Sequence, residues 1–119
     1  MTDLRTIRPW QNHPRDMTNL DPTRDHEQAG RRPALVISMD GFNHGPAELV
    51  IVIPITTKDK GIPSHVNICP PEGGLNEPSF IKCEDIRSVA KERLTRCLGR
   101  VKEGTLAEVE DRLRILLGL

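Results

Sequence analysis

Apolar residues fall in short runs divided by turn clusters. Ala34 to Met39 (ALVISM) is short and rich in β-branched side chains, which predicts a strand. Asp40 to Pro46 (DGFNHGP) is a turn cluster. Leu49 to Ile53 (LVIVI) is apolar at every position and predicts a central strand covered on both faces. Pro54 lacks a backbone donor, so a bulge or a sheet edge is expected there. Thr56 to Pro63 reads as a loop. Ser64 to Cys69 alternates, with His65 and Asn67 pointing one way and Val66 and Ile68 the other. Pro70 to Gly74 is a turn, and Pro78 to Cys83 is another strand running towards Ile86. Residues 1–20 are polar, hold Pro9, Trp10 and Pro14, and show no sustained period, so they read as irregular.

The clear helical period comes at the end. Thr105, Leu106, Ala107 and Glu108 predict a capping box, in which the Thr hydroxyl accepts from a backbone N–H and Glu108 reaches back. Leu106, Val109, Leu113 and Leu116 follow at helical spacing for burial, and Gly118 ends the pattern. Short strands, turn signals and one amphipathic helix predict an α+β, mainly β domain built on a small twisted sheet or barrel. A chain of 119 residues fits one such domain.

Composition narrows the core and the compartment. Aromatic residues are 3% of the chain, so the core is expected to be aliphatic. Lys plus Arg and Asp plus Glu stand at 17 each, so any attraction for nucleic acid must come from a local basic patch. Cys69, Cys83 and Cys97 are odd in number and form no C-x-x-C, which speaks for a reducing cytosol and for small buried or half-buried side chains. No run of 18 apolar residues and no N-terminal apolar core is present, so membrane insertion and export are not expected. No metal-ligand spacing is found, and His44 and His65 stand outside any ligand pattern.

Three polar spots can carry chemistry. Asp21 to Pro33 (DPTRDHEQAGRRP) is dense in Asp, Arg and Glu and runs straight into an apolar strand. By composition it reads first as a solvated loop. It also meets what a phosphate site needs: Arg32 presents a planar fork, Pro33 biases Arg32 towards extended backbone, and His26 and Glu27 can move protons. Thr56, Thr57 and Lys58 follow the apolar strand, where hydroxyls can bond a phosphate or simply shape a turn. Lys82, Cys83 and Glu84 would place a cation and a carboxylate on one strand face, as an acid–base pair or as a surface ion pair.

Taken in order, these residues closely resemble the MazF/PemK/Kid family of toxin endoribonucleases. The family pattern is a D-P-T-x-G-x-E-Q-x-G-x-R-P loop before an apolar strand. Further matches are Val52 to Lys58 (VIPITTK), Gly61 to Val66 (GIPSHV), Ile86 to Leu94 (IRSVAKERL) and Leu98 to Val101 (LGRV). The resemblance spans about residues 19–118, and residues 1–18 are set apart as an irregular or truncated N-terminal segment before a toxin domain over 19–119. Two departures stand out. The family's opening R-G-D-I-W-x-V-D-L strand reads Arg15 to Leu20 (RDMTNL) here, and Asp25 stands where Gly is usual.

What the resemblance implies is specific. The fold would be an SH3-like small β-barrel of the CcdB/Kid/MazF type with a C-terminal helix, working as a homodimer in the cytoplasm. The activity would be metal-independent, cofactor-free, sequence-specific cleavage of single-stranded RNA by attack of the ribose 2′-OH. A cognate antitoxin would cover the site, and the pair would bind operator DNA. The family's Arg and Thr fall on Arg32 and Thr56, with the loop glutamate at Glu27. The Kid-like scheme falls on His26, Lys82 and Glu84, where Lys and Glu replace Arg and Asp. Gln28, Arg31, Thr57, Lys58 and Arg87 would contact substrate, and loops 40–46 and 57–63 would set its sequence. The alternative is a degenerate, non-catalytic member that binds antitoxin and operator DNA.

Overall fold

The structure is a computed structural model that describes residues 16–20 and 32–119. Seven strands form one antiparallel sheet: β1 (Asp16–Leu20), β2 (Arg32–Val36), β3 (Leu49–Thr56), β4 (His65–Ile68), β5 (Ser79–Lys82), β6 (Arg87–Ala90) and β7 (Leu94–Arg100). The strand order is β4-β5-β3-β2-β1-β7, with β6 paired to β3. Helix α1 (Asp40–Asn43) is one turn, and helix α2 (Glu103–Leu117) closes the chain. The class is α+β and mainly β, as the run lengths predicted, but the sheet is not closed into a barrel by a ladder among the described residues. No helix among those residues is long and apolar enough to cross a membrane.

Strand β3 is covered on both faces, as its unbroken apolar run predicted. Ile53 and Ile55 join Met17, Leu35, Val66, Ile81 and Val109 in one cluster. Val50 and Val52 join Ala34, Val36, Val89 and Leu94 in a second. Each fully buried Val, Leu or Ile contributes roughly 1.5–3 kcal/mol relative to exposure. No bulge forms at Pro54. Instead the strand changes partner on one edge: Leu49 to Val52 pair with β6, and Ile55 and Thr56 pair with β5. Pro54 lies in the interval between those ladders, where a missing N–H is tolerated.

Several elements differ from the sequence expectation, each for a visible reason. Residues 16–20 form a strand within the stretch read as irregular, and β2 spans Arg32–Val36 rather than Ala34–Met39. The β2 ladder ends because Ile37 and Ser38 both donate their N–H to the Ile51 carbonyl, at 2.9 and 3.4 Å. Ser38 then donates through its hydroxyl to Asn43 Oδ1, while Asn43 Nδ2 donates to the Ser38 carbonyl at 3.0 Å. That buried knot fixes the turn carrying α1 at the far end of β2 from Arg32. Cys83 is buried and Cys97 half-buried as expected, but Cys69 is exposed.

Helix α2 has no capping box. It begins two residues before Thr105, and Lys102 is its N-cap with no side-chain cap bond. Glu72, on the turn after β4, supplies the cap from outside. Its Oε2 accepts from the Lys102 N–H at 2.8 Å and from the Thr105 hydroxyl at 2.6 Å. A carboxylate there also complements the helix dipole. Val109 is fully buried, whereas Leu116, expected on the buried face, is 44% exposed. Gly118 ends the helix in the left-handed region at φ 71°, as predicted. The same Glu72 turn is clamped to β7: a Cβ on Gly74 would stand 2.1 Å from the Leu98 carbonyl oxygen.

Replacing Glu72 with Ala removes a helix cap and a tertiary pin together. We expect a loss of about 1–2 kcal/mol, read as a drop of several degrees in the unfolding midpoint, with Glu72→Gln between the two.

Candidate active site on one sheet face

Register decides which candidate residues meet. In the β2–β3 ladder Ala34 faces Pro54, so extending it by two residues sets Arg32 opposite Thr56. On the other side of β3, Thr56 faces Phe80, and Phe80 faces Asn67 on β4. Directly opposed residues share a face. Arg32, Thr56, Phe80 and Asn67 therefore form one row across four adjacent strands. Lys82 lies two residues along β5 from Phe80 on the same face. Arg87 faces Val52, so it joins them. Three cations thus share one face at the end of a sheet whose chain is neutral overall.

Local bonds tune the row. Thr56 Oγ1 accepts the Lys58 N–H at 3.2 Å, which leaves the hydroxyl proton for a phosphate oxygen. Asp85 sits between the two remaining cations. Both of its oxygens accept from Arg87 Nη2 at 2.6 Å, and Lys82 Nζ is 3.5 Å away. Thr57 points the opposite way from Thr56 and lines a cavity of about 340 Å³ with Pro33, Asn76 and Arg96. Lys58 is exposed at the start of the loop to β4. His26, Glu27, Gln28 and Arg31 lie outside the described residues.

Glu84 is placed differently from the expectation. Strand β5 ends at Lys82, and Cys83 to Asp85 form a 3₁₀ turn, so Lys82 and Glu84 do not share a strand face. Instead Ser64 donates to Glu84 Oε1 at 2.6 Å, and His65 Nε2 lies 2.8 Å from Oε2. Partial desolvation would raise the Glu84 carboxyl. The bonds from Ser64 and His65, its own backbone N–H and the His65 charge outweigh that and hold it below its ordinary 4.5. Burial, with the Glu84 charge adding, pushes the Cys83 thiol up to about 11, so it is no thiolate nucleophile near neutral pH. No group of three or more His, Cys, Asp or Glu is gathered as metal ligands among the described residues.

Sequence reasoning missed Asp85, Ser64, Phe80 and Asn67. Alternation within a strand was legible, but which strand lies beside which was not.

A folded carboxyl held below 4.5 favours the native state while ionised. That contribution is complete above the ordinary value and is lost as pH falls through the folded one. Glu84→Gln should therefore unfold at a lower temperature than wild type at neutral pH. The gap should close as pH falls below 4.5, followed by thermal unfolding across an acid series.

Comparison with known proteins gives a consistent answer. The profile of the PemK-like, MazF-like toxins of type II toxin–antitoxin systems matches residues 17–117. The chain is 36% identical to "Endoribonuclease MazF9" of Mycobacterium tuberculosis, over 85% of this chain and 90% of that one. It is similar to a chain in the MazE–MazF structure from Deinococcus radiodurans, with 30% identity and a TM-score of 0.72, covering 91% of this chain and 95% of that one. An endoribonuclease solved with its cognate antitoxin from a mycobacterial species has the same fold, with a TM-score of 0.73 and 22% identity, covering 92% and 95%.

Proposed function

The chain belongs to the PemK-like, MazF-like toxins of type II toxin–antitoxin systems, and we propose that it is a sequence-specific endoribonuclease that cuts single-stranded RNA without a metal ion. The observation that carries this reading is the β2–β3 register, which, continued two residues beyond Ala34, sets Arg32 opposite Thr56 on a cationic sheet face. Attack of a ribose 2′-OH on the adjacent phosphorus builds charge on the phosphorane oxygens. Arg32 is protonated at any working pH and offers a fork of donors to those oxygens. The Thr56 hydroxyl donates a further bond, and Lys82 adds positive charge. The products are a 2′,3′-cyclic phosphate and a 5′-OH end.

The reaction also needs a base and an acid. Both oxygens of Glu84 are already engaged by Ser64 and His65. That favours an anchoring role for Glu84 and leaves Glu27 as the base for the 2′-OH. His26 or Lys82 then protonates the leaving 5′-oxygen. Arg87 and Lys58 hold flanking phosphates, with Arg31, Gln28 and Thr57 as further contacts. The same reading carries a cognate antitoxin, a homodimer, operator DNA bound together with antitoxin, and a cytoplasmic setting. The apolar side chains that α2 leaves exposed, Ile115, Leu116 and Leu117, support a protein partner.

The purified protein, incubated with a long RNA and EDTA, should leave cyclic-phosphate ends at a short recurring sequence. Arg32→Ala should slow cleavage roughly 10²- to 10³-fold, with Thr56→Ala also impaired. A 2′-deoxy sugar at the cut position should block the reaction while leaving binding intact. Wild-type cutting by folded Arg32→Ala protein would remove Arg32 from the mechanism.

A further inference from the structure

Phe80 is out of place as a core residue. The chain has only three aromatic side chains, Trp10, Phe42 and Phe80. Phe42 stands on α1 at the far end of β2, and Trp10 lies outside the described residues. Phe80 is half-buried, yet it belongs to neither apolar cluster of described residues. Its neighbours on β5, Ser79 and Ile81, are buried on the opposite face. A large apolar ring is thus set among Thr56, Lys82 and Asn67 on the cationic face.

We propose that Phe80 is a stacking platform for the nucleobase beside the scissile phosphate, and that Asn67 reads the edge of that base. The inference rests on the RNA-cleaving reading and adds a specificity subsite to it. Strands lie about 4.8 Å apart, so Phe80 stands about 5 Å from Thr56 and about 10 Å from Arg32 along the row. A phosphate held by Arg32 and Thr56 therefore brings one flanking base over the ring. Single-stranded RNA offers splayed bases, and aromatic rings take them by stacking, while amide side chains bond their edges. Asn67 is exposed one strand further out, directly opposite Phe80. Its amide presents a donor and an acceptor side by side, which adenine matches best. Specificity is thereby assigned to the row itself, whereas loop 40–46 follows the end of β2 away from Arg32.

The test uses cut-site mapping on a long RNA and the affinity of an uncleavable oligonucleotide carrying a 2′-deoxy sugar at the cut position. Phe80→Leu should raise KM and the oligonucleotide Kd roughly ten- to a hundredfold with kcat little changed. Phe80→Tyr should restore both. Asn67→Ala, at an exposed position, should keep cleavage but relax the base preference at one position beside the cut. Thermal unfolding of each variant separates these effects from loss of fold. If the wild type cuts RNA and folded Phe80→Leu and Asn67→Ala cut the same sites with the same KM, the subsite is overturned and the RNase reading stands. If the wild type cuts no RNA, both fall.

Discussion

Strand β3 is the element that both apolar clusters require. Its alternate residues fill two cores on opposite faces, which forbids a slip in its pairing. A shift of one residue would exchange Val50 and Val52 with Ile53 and Ile55 and break both clusters at once. That constraint reaches the chemistry. Thr56 is the last residue of this strand, so its position relative to Arg32 and Phe80 is set by valines and isoleucines. The change of partner at Pro54 serves the same end. It frees the last two residues of β3 to pair with β5 and brings the β4–β5 hairpin alongside.

Electrostatics then differentiates residues that composition cannot. The chain is neutral, but the sheet face at the end of β3 gathers Arg32, Lys82 and Arg87, and Asp85 pairs with the last two. Glu84, the other acid in that stretch, is engaged by Ser64 and by His65, the residue opposite Lys82. An ionised carboxylate held low in pKa is a poor proton acceptor, because its affinity for the proton is what those bonds reduce. The same contacts join the start of β4 to the end of β5. The two acids next to Lys82 therefore have different tasks: Asp85 positions cations, and Glu84 holds the turn that presents them.

The legible parts of the fold are those whose signal is local. The apolar run of β3 implied cover on both faces, and the leucine spacing gave α2. The ends of elements were less legible because their partners are distant in sequence. Thr105 looked like a cap for its own helix, yet its hydroxyl serves Glu72, 33 positions away. Strands β6 and β7 carry short or mixed patterns, and only pairing with β3 and β1 defines them. For the candidate site, the order of residues in Asp21 to Pro33 singled out Arg32 and the strand end singled out Thr56 as candidates, and the register sets the two opposite each other. Phe80 and Asn67 had no local signal. Their proposed role rests on two ladders, β3–β5 and β5–β4, that a linear reading does not contain.

The row across the sheet also bears on how the proposed single-stranded substrate would be met. A β-sheet face gives side chains at a fixed spacing of about 4.8 Å across strands, close to the scale of a phosphate and its flanking base. Arg32 and Thr56 at one end of the row, and an aromatic ring and an amide at the other, offer different contacts in a fixed order. In the proposed reading, phosphate contacts would position the RNA, and the ring and amide would discriminate among bases. Sequence choice can then change through single side chains in the row while the two cores that hold the row stay as they are.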